Sequence, residues 1–157
     1  MKLNTLRRKP TPDPSTDPFL KVLRPLVETY FAFLDTGSSH LRSLGLTGSQ
    51  FDVIVTLGDT TGMTCKELSE KTLVTKGTLT GVLDRLTKKG MIVRAPSRED
   101  RRSIFVRLTP KGDALFHKVF PAHVRYMKPY FERALTAAEA TTLRTLLLRL
   151  KGSFERA

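Results

Sequence analysis

Cysteine is almost missing from this chain of 157 residues, and tryptophan is missing altogether. A single cysteine, Cys65, excludes an internal disulfide and any cysteine-rich zinc site. No apolar run approaches the roughly 18 residues that a membrane-spanning helix needs. The opening stretch MKLNTLRRKPTPDPSTDP is basic but leads into no apolar run, so it does not read as a secretory signal, and a cytoplasmic protein is expected. Glycine-rich phosphate loops, nucleophile elbows and metal-ligand motifs are absent too, which leaves an enzyme reading without support. Acidic residues are few: 15 Asp and Glu stand against 27 Lys and Arg, a net charge of +12. Such an excess asks for an anionic partner, whether nucleic acid, a membrane surface or an acidic protein. The 39% apolar content is still enough for a core.

Residues 1–18 carry four prolines and the bases Lys2, Arg7, Arg8 and Lys9, and read as a flexible arm. The remainder, 19–157, reads as a single domain. From 19 to about 44, Leu20, Leu23, Val27, Tyr30, Phe31 and Leu34 recur at helical spacing. Pro25 belongs to the first turn of that helix or kinks it. The run DTGSSH at 35–40 is weak for helix and is a candidate break within it. TGSQ at 47–50 is a capping box, in which a Thr hydroxyl and a Gln side chain each satisfy a free backbone N–H. It opens a helix that Gly58 to Gly62 should end. TCKE at 64–67 is a second capping box, opening a short helix. A turn at 72–75 follows, with Thr75 placed to cap the next helix, where Leu79, Val82, Leu83 and Leu86 form one apolar face. Gly90 sits where a helix-terminating glycine belongs.

Beyond Gly90 the period changes from 3.6 to 2. MIVRAP and IFVRLT read as two strands joined by the charged stretch 97–103. TPKG at 109–112 places a capping Thr before a Pro in the first turn of a long helix to about Leu135, with Pro121 and Pro129 as kinks or breaks. TAAE at 136–139 caps a last helix whose apolar residues are Leu143, Leu146, Leu147, Leu150 and Phe154.

Three helices at 47–58, 64–71 and 75–89, followed by a hairpin, are the layout of a winged helix-turn-helix, with the third helix as the reader of DNA. The expected fold is mainly α, with a two-stranded β wing. The polar face of the third helix begins Thr75, Lys76, Gly77, Thr78, Thr80 and Gly81. Small residues let a helix sit deep in a major groove, and hydroxyls can bond base edges or phosphates. Gly77 and Gly81 each cost roughly 1 kcal/mol of helix stability relative to Ala. Close approach to DNA would explain them; packing against another helix is the plainer alternative. Charge favours DNA. Between Asp84 and Gly112 nine bases meet three acids, so half the net charge lies in under a fifth of the chain.

The run LVTKGTLTGVLDRLTKKGMIVRAPSREDRRSIFVRLTPKGDALF, within about residues 45–116, strongly resembles the MarR family of bacterial transcription regulators. Its DRR at 100–102, ahead of a strand and LTPKG, is similar to the family's wing signature. The resemblance implies that Asp100 pairs with Arg102 to brace the wing, leaving Arg101 to enter the minor groove. Arg85, Lys88 and Arg98 would then meet phosphates. It implies a winged helix-turn-helix lobe at 45–110 and dimerisation helices at 19–44 and 111–157. A homodimer of this kind would read a pseudo-palindromic operator on double-stranded DNA, most simply as a repressor. Many relatives release DNA when a small phenolic or lipophilic effector binds between the dimer helices and the lobe; Phe31, Phe33, His40 and Phe51 are the candidate pocket residues here. No cofactor, metal or membrane is implied. His117 and His123 are six residues apart and do not share a helix face well, and Cys65 has no second cysteine to resolve an oxidised thiol. The alternative is a basic protein that binds nucleic acid or other polyanions without reading sequence.

Overall fold

The computed structural model describes Asp13, residues 15–97 and residues 103–155. The basic cluster of the N-terminal arm and the wing tip at 98–102 lie outside the described residues. The chain divides into two compact units, Met1–Thr36 and Gly37–Ala157. In the first, Asp13 and Asp17 order the approach to a helix by accepting the N–H groups of Ser15 and Phe19, at 2.9 and 2.8 Å. A short 3-10 turn, Leu20–Val22, then enters helix α1, Leu23–Ser43. Pro25 falls in the first turn of α1, where its missing N–H costs no helical hydrogen bond. Val27, Tyr30, Phe31, Phe33 and Leu34 remain exposed.

The helix does not break at the weak stretch 35–40; α1 runs through to Ser43. Gly37 lies within this stretch. It is buried, and the His123 ring lies 3.6 Å from where its Cβ would stand.

The second unit also holds α2 (Gly48–Leu57), β1 (Met63–Thr64), α3 (Cys65–Lys71), α4 (Lys76–Lys88), β2 (Ile92–Pro96), β3 (Ile104–Leu108), α5 (Pro110–Ala134) and α6 (Ala137–Phe154). The capping boxes form as the spacing requires. Thr47 with Gln50, Thr64 with Glu67, and Thr136 with Glu139 satisfy each other's first-turn groups. Gly90 adopts φ +69 after α4; its N–H reaches the Thr87 carbonyl, and the Met91 N–H reaches Leu86, both at 2.9 Å. Those two bonds terminate the helix in the way a left-handed glycine allows.

The sheet has three antiparallel strands in the order β1-β3-β2, one more than the two-stranded wing expected. Ile92 pairs with Leu108 at one end of the hairpin and Pro96 with Ile104 at the other, while Met63 pairs with Val106. Gly62 makes the third strand possible. At φ +110, with a Cβ position 2.6 Å from both a Phe105 ring carbon and the Val106 carbonyl, no other residue fits without a shift. The core gathers Val53, Ile54 and Leu57 of α2, Leu68 of α3, Val82 and Leu86 of α4, and Ile92 and Val106 of the sheet. Phe116 and Val119 of α5 close it. α5 continues through Pro121 and Pro129, each of which removes one backbone bond while keeping a helical φ. α6 buries none of its residues.

Candidate nucleic-acid interface

α4 is held on the lobe by the leucines and the valine of its apolar face, Leu79, Val82, Leu83 and Leu86, all buried. Its opposite face is open. Thr75, Lys76, Gly77, Thr78 and Thr80 are exposed in the first turns, and Arg85 and Lys88 are exposed in the last. A Cβ at Gly77 would meet nothing within 4 Å, and one at Gly81 would meet only the Arg85 guanidinium at 3.6 Å. Helix packing within the chain therefore does not explain either glycine.

The start of α4 differs from that of α2, α3, α5 and α6. Thr75 stands at the cap position, yet its hydroxyl donates to the Thr78 hydroxyl at 3.0 Å and caps no backbone N–H. The expectation that Thr75 caps the helix is corrected here. The hydroxyl pair leaves the N–H groups of Lys76 and Gly77 without a partner among the described residues. A helix start that is positive, uncapped and exposed suits a phosphate oxygen.

Two acids tie α4 and the turn before it to their neighbours. The Asp52 carboxylate of α2 accepts the Leu73 N–H at 2.7 Å, pinning the turn between α3 and α4. Burial pushes the Asp52 carboxyl above its ordinary value, opposed by that same hydrogen bond. Asp84 of α4 accepts Arg94 of β2 at 2.7 Å and so ties the helix to the hairpin. The partners of both carboxylates are set by the fold. The hairpin closes toward its tip through Ser97 N–H donating to the Ser103 carbonyl, at 2.8 Å. Arg98, Asp100, Arg101 and Arg102 lie outside the described residues.

The effector candidates fall in two places. Phe31 and Phe33 are exposed in the first unit, where Phe31 meets Tyr30 at 5.9 Å between ring centroids. His40 and Phe51 join a cluster in the second. The Nδ1 atoms of His40 and His123 lie 3.0 Å apart. Tyr126 stacks on His40 at 4.1 Å, and Phe51 meets His123 edge-on at 4.8 Å. Burial, and secondarily the neighbouring His40, hold the His123 pKa below its ordinary value. His117 is occupied elsewhere, its ring nitrogens 3.6 and 3.5 Å from the carboxylates of Asp59 and Asp113. Among the described residues no group of three or more His, Cys, Asp or Glu side chains could hold a metal ion. The Cys65 thiol is half-buried, and burial pushes its pKa up against the opposing charge of Arg94, the opposite of what activates a thiol.

A helix-turn-helix whose second helix bares a small, polar, basic face, followed at once by an antiparallel hairpin, defines a winged-helix DNA-binding protein. Comparison with known proteins agrees. A sequence model of the MarR family matches residues 44–103. The multiple antibiotic resistance protein MarR of Salmonella typhimurium is 34% identical over 113 residues, covering 72% of this chain and 78% of its own. A mutant of Escherichia coli MarR, solved in complex with operator DNA, is 29% identical with a TM-score of 0.70 over 86% of this chain and 99% of that one. BpsR of Bordetella bronchiseptica, whose DNA binding is regulated by 6-hydroxynicotinic acid, is 25% identical with a TM-score of 0.74, over 83% and 98%. The chain belongs to the MarR family of transcription regulators, which bind DNA and are not enzymes.

Proposed function

We propose that this regulator is a repressor that acts in the cytoplasm as a homodimer on a pseudo-palindromic operator. Thr75, Lys76, Gly77, Thr78 and Thr80 meet the major groove, Arg85, Lys88 and Arg98 meet phosphates, and Arg101 enters the minor groove from a wing braced by Asp100 and Arg102. The single observation that carries the reading is the open face of α4, where two glycines have no packing role and the helix start is left uncapped. Dimerisation is supported by α6, an amphipathic helix with no buried residue. A small phenolic or lipophilic effector is supported by the ring cluster of His40, Phe51, His123 and Tyr126, and by the regulation of BpsR by an aromatic acid. Such a ligand lowers DNA affinity only by binding the DNA-incompetent state more tightly.

The test is selection of fragments from the source genome by the purified protein, with random duplex as competitor at several salt concentrations. Recovery of a pseudo-palindrome preferred by at least ~10³ over random DNA is expected of a specific regulator. Equal, steeply salt-dependent binding to every duplex would replace it with a polyanion binder that only tracks phosphate.

A further inference from the structure

Beside the exposed face of α4 lies a concave cleft of about 480 Å³, between the α1–α2 junction and the last turns of α4. Arg42, Arg85, Lys88 and Lys89 line it, with Thr47 and Gln50, and no acidic side chain does. Among the described residues every ion pair lies elsewhere, so the four cations face one space with no neutralising partner. A fifth charge stands close by, since Lys111 Nζ donates to the Lys89 carbonyl at 3.0 Å. Gln50 is buried, and its side-chain oxygen accepts the Thr47 N–H at 3.2 Å. Its amide NH2 has no partner among the described residues. A concave surface lined by charges of one sign focuses the field and attracts an anion.

We propose that this cleft seats a phosphate of the DNA backbone, with Arg42 and Lys89 acting alongside Arg85 and Lys88 and the Gln50 amide as a neutral donor. The inference rests on α4 being the recognition helix. Arg85 lies seven residues beyond Thr78, or about 10 Å along the helix. That distance is comparable with the ~12 Å width of a major groove. With the first turns of α4 at the base edges, the cleft therefore falls at the groove's margin, where phosphates run. The clamp brings the end of α1 against the DNA.

A phosphate seat positions the protein and carries no sequence information. Arg42→Gln with Lys89→Gln should therefore weaken operator and random duplex by the same factor, on the order of tenfold. It should also flatten log K against log[salt] by about 1 for each phosphate that is no longer neutralised. Arg42→Lys with Lys89→Arg should keep the slope of the parent protein. Both would be measured by fluorescence anisotropy at four salt concentrations, with thermal melts confirming that the exposed substitutions leave the fold intact. An unchanged slope on both duplexes would overturn the proposal, and so would a weakening confined to the operator. Orthophosphate titrated at constant ionic strength distinguishes a free-anion pocket. Competition abolished by the double substitution while DNA binding is unaltered would also overturn it. Failure of the recognition-helix reading shows separately, as parent protein that does not prefer its selected site.

Discussion

His40 and His123 face each other through Nδ1 atoms 3.0 Å apart, so one ring must donate and the other accept. A single proton on that line is accommodated, and a second sets two N–H groups head to head. Burial adds to the cost of charge on His123, whose pKa lies below the ordinary 6.5. The folded protein thus binds this proton more weakly than the unfolded chain does. The stability it contributes is complete above 6.5 and is lost as pH falls through the lower folded value. Melting temperatures between about pH 8 and pH 5 should fall more steeply below 6.5 for the parent protein than for His123→Gln. Identical pH profiles would mean that this proton is not linked to folding. The pair was not legible in the sequence, because its members are 83 residues apart and no local pattern marks them. The exposed residues of α4 were legible because small polar residues and buried leucines alternate on one helix, where spacing alone assigns a face. Asp84 lay on that same helix, yet its role depends on Arg94 across a strand, which spacing does not reveal.

At the scale of elements, most of what closes within a few residues could be read directly, the Thr75 cap being the exception. The capping boxes span only four positions, and the Gly90 terminus six, so each formed as its motif dictates. Two elements escaped. β1 is two residues long and exists through its pairing with β3, some forty positions later. α1 carries through a stretch of poor helix formers, where Gly37 and Leu41 are buried, and tertiary burial is a cause that local propensity does not contain. Glycines separate these local and tertiary causes, since the same substitution should act oppositely at two sites. At Gly112 a Cβ would collide with the Met91 carbonyl and come within 3.3 Å of Leu108, and a backbone oxygen held in a strand junction cannot yield. Gly112→Ala should therefore cost about 1–3 kcal/mol in urea unfolding. Gly77→Ala enters open space in a helix and should stabilise by up to about 1 kcal/mol. If Gly77 is there for DNA, that more stable variant will bind operator more weakly. Unimpaired binding by Gly77→Ala would remove close backbone approach as the reason for this glycine.

For the molecule as a whole, the distribution of apolar residues matters more than their number. The helix-turn-helix and the sheet enclose a core that Phe116 and Val119 of α5 complete, whereas Leu143, Leu146, Leu147 and Leu148 of α6 are each 39–52% exposed and Phe154 is 65% exposed. On α5, Tyr130 and Phe131 are open as well. Helices of this kind are stabilised by burying an apolar face, and α6 buries none within its own chain. A second copy would supply the cover, and a two-fold axis would make the interface self-complementary. It would also set two α4 helices at a fixed separation, the geometry that a pseudo-palindrome requires. The sequence carried the amphipathic pattern of these helices but not the location of their partner, because periodicity reports that a face is apolar and is silent on what lies against it. Leu147→Glu places a charge in the middle of the α6 face. Sedimentation should show a dimer for the parent protein and a monomer for the variant at the same concentration. The helix-turn-helix core lies away from α6, so far-UV circular dichroism should retain most of its signal. Operator affinity should fall steeply, since a monomer reaches the bases and phosphates of a single half-site, while random-duplex binding should fall less. A dimer that survives Leu147→Glu would move the interface off α6, and a parent protein that sediments as a monomer would remove the two-fold reading altogether.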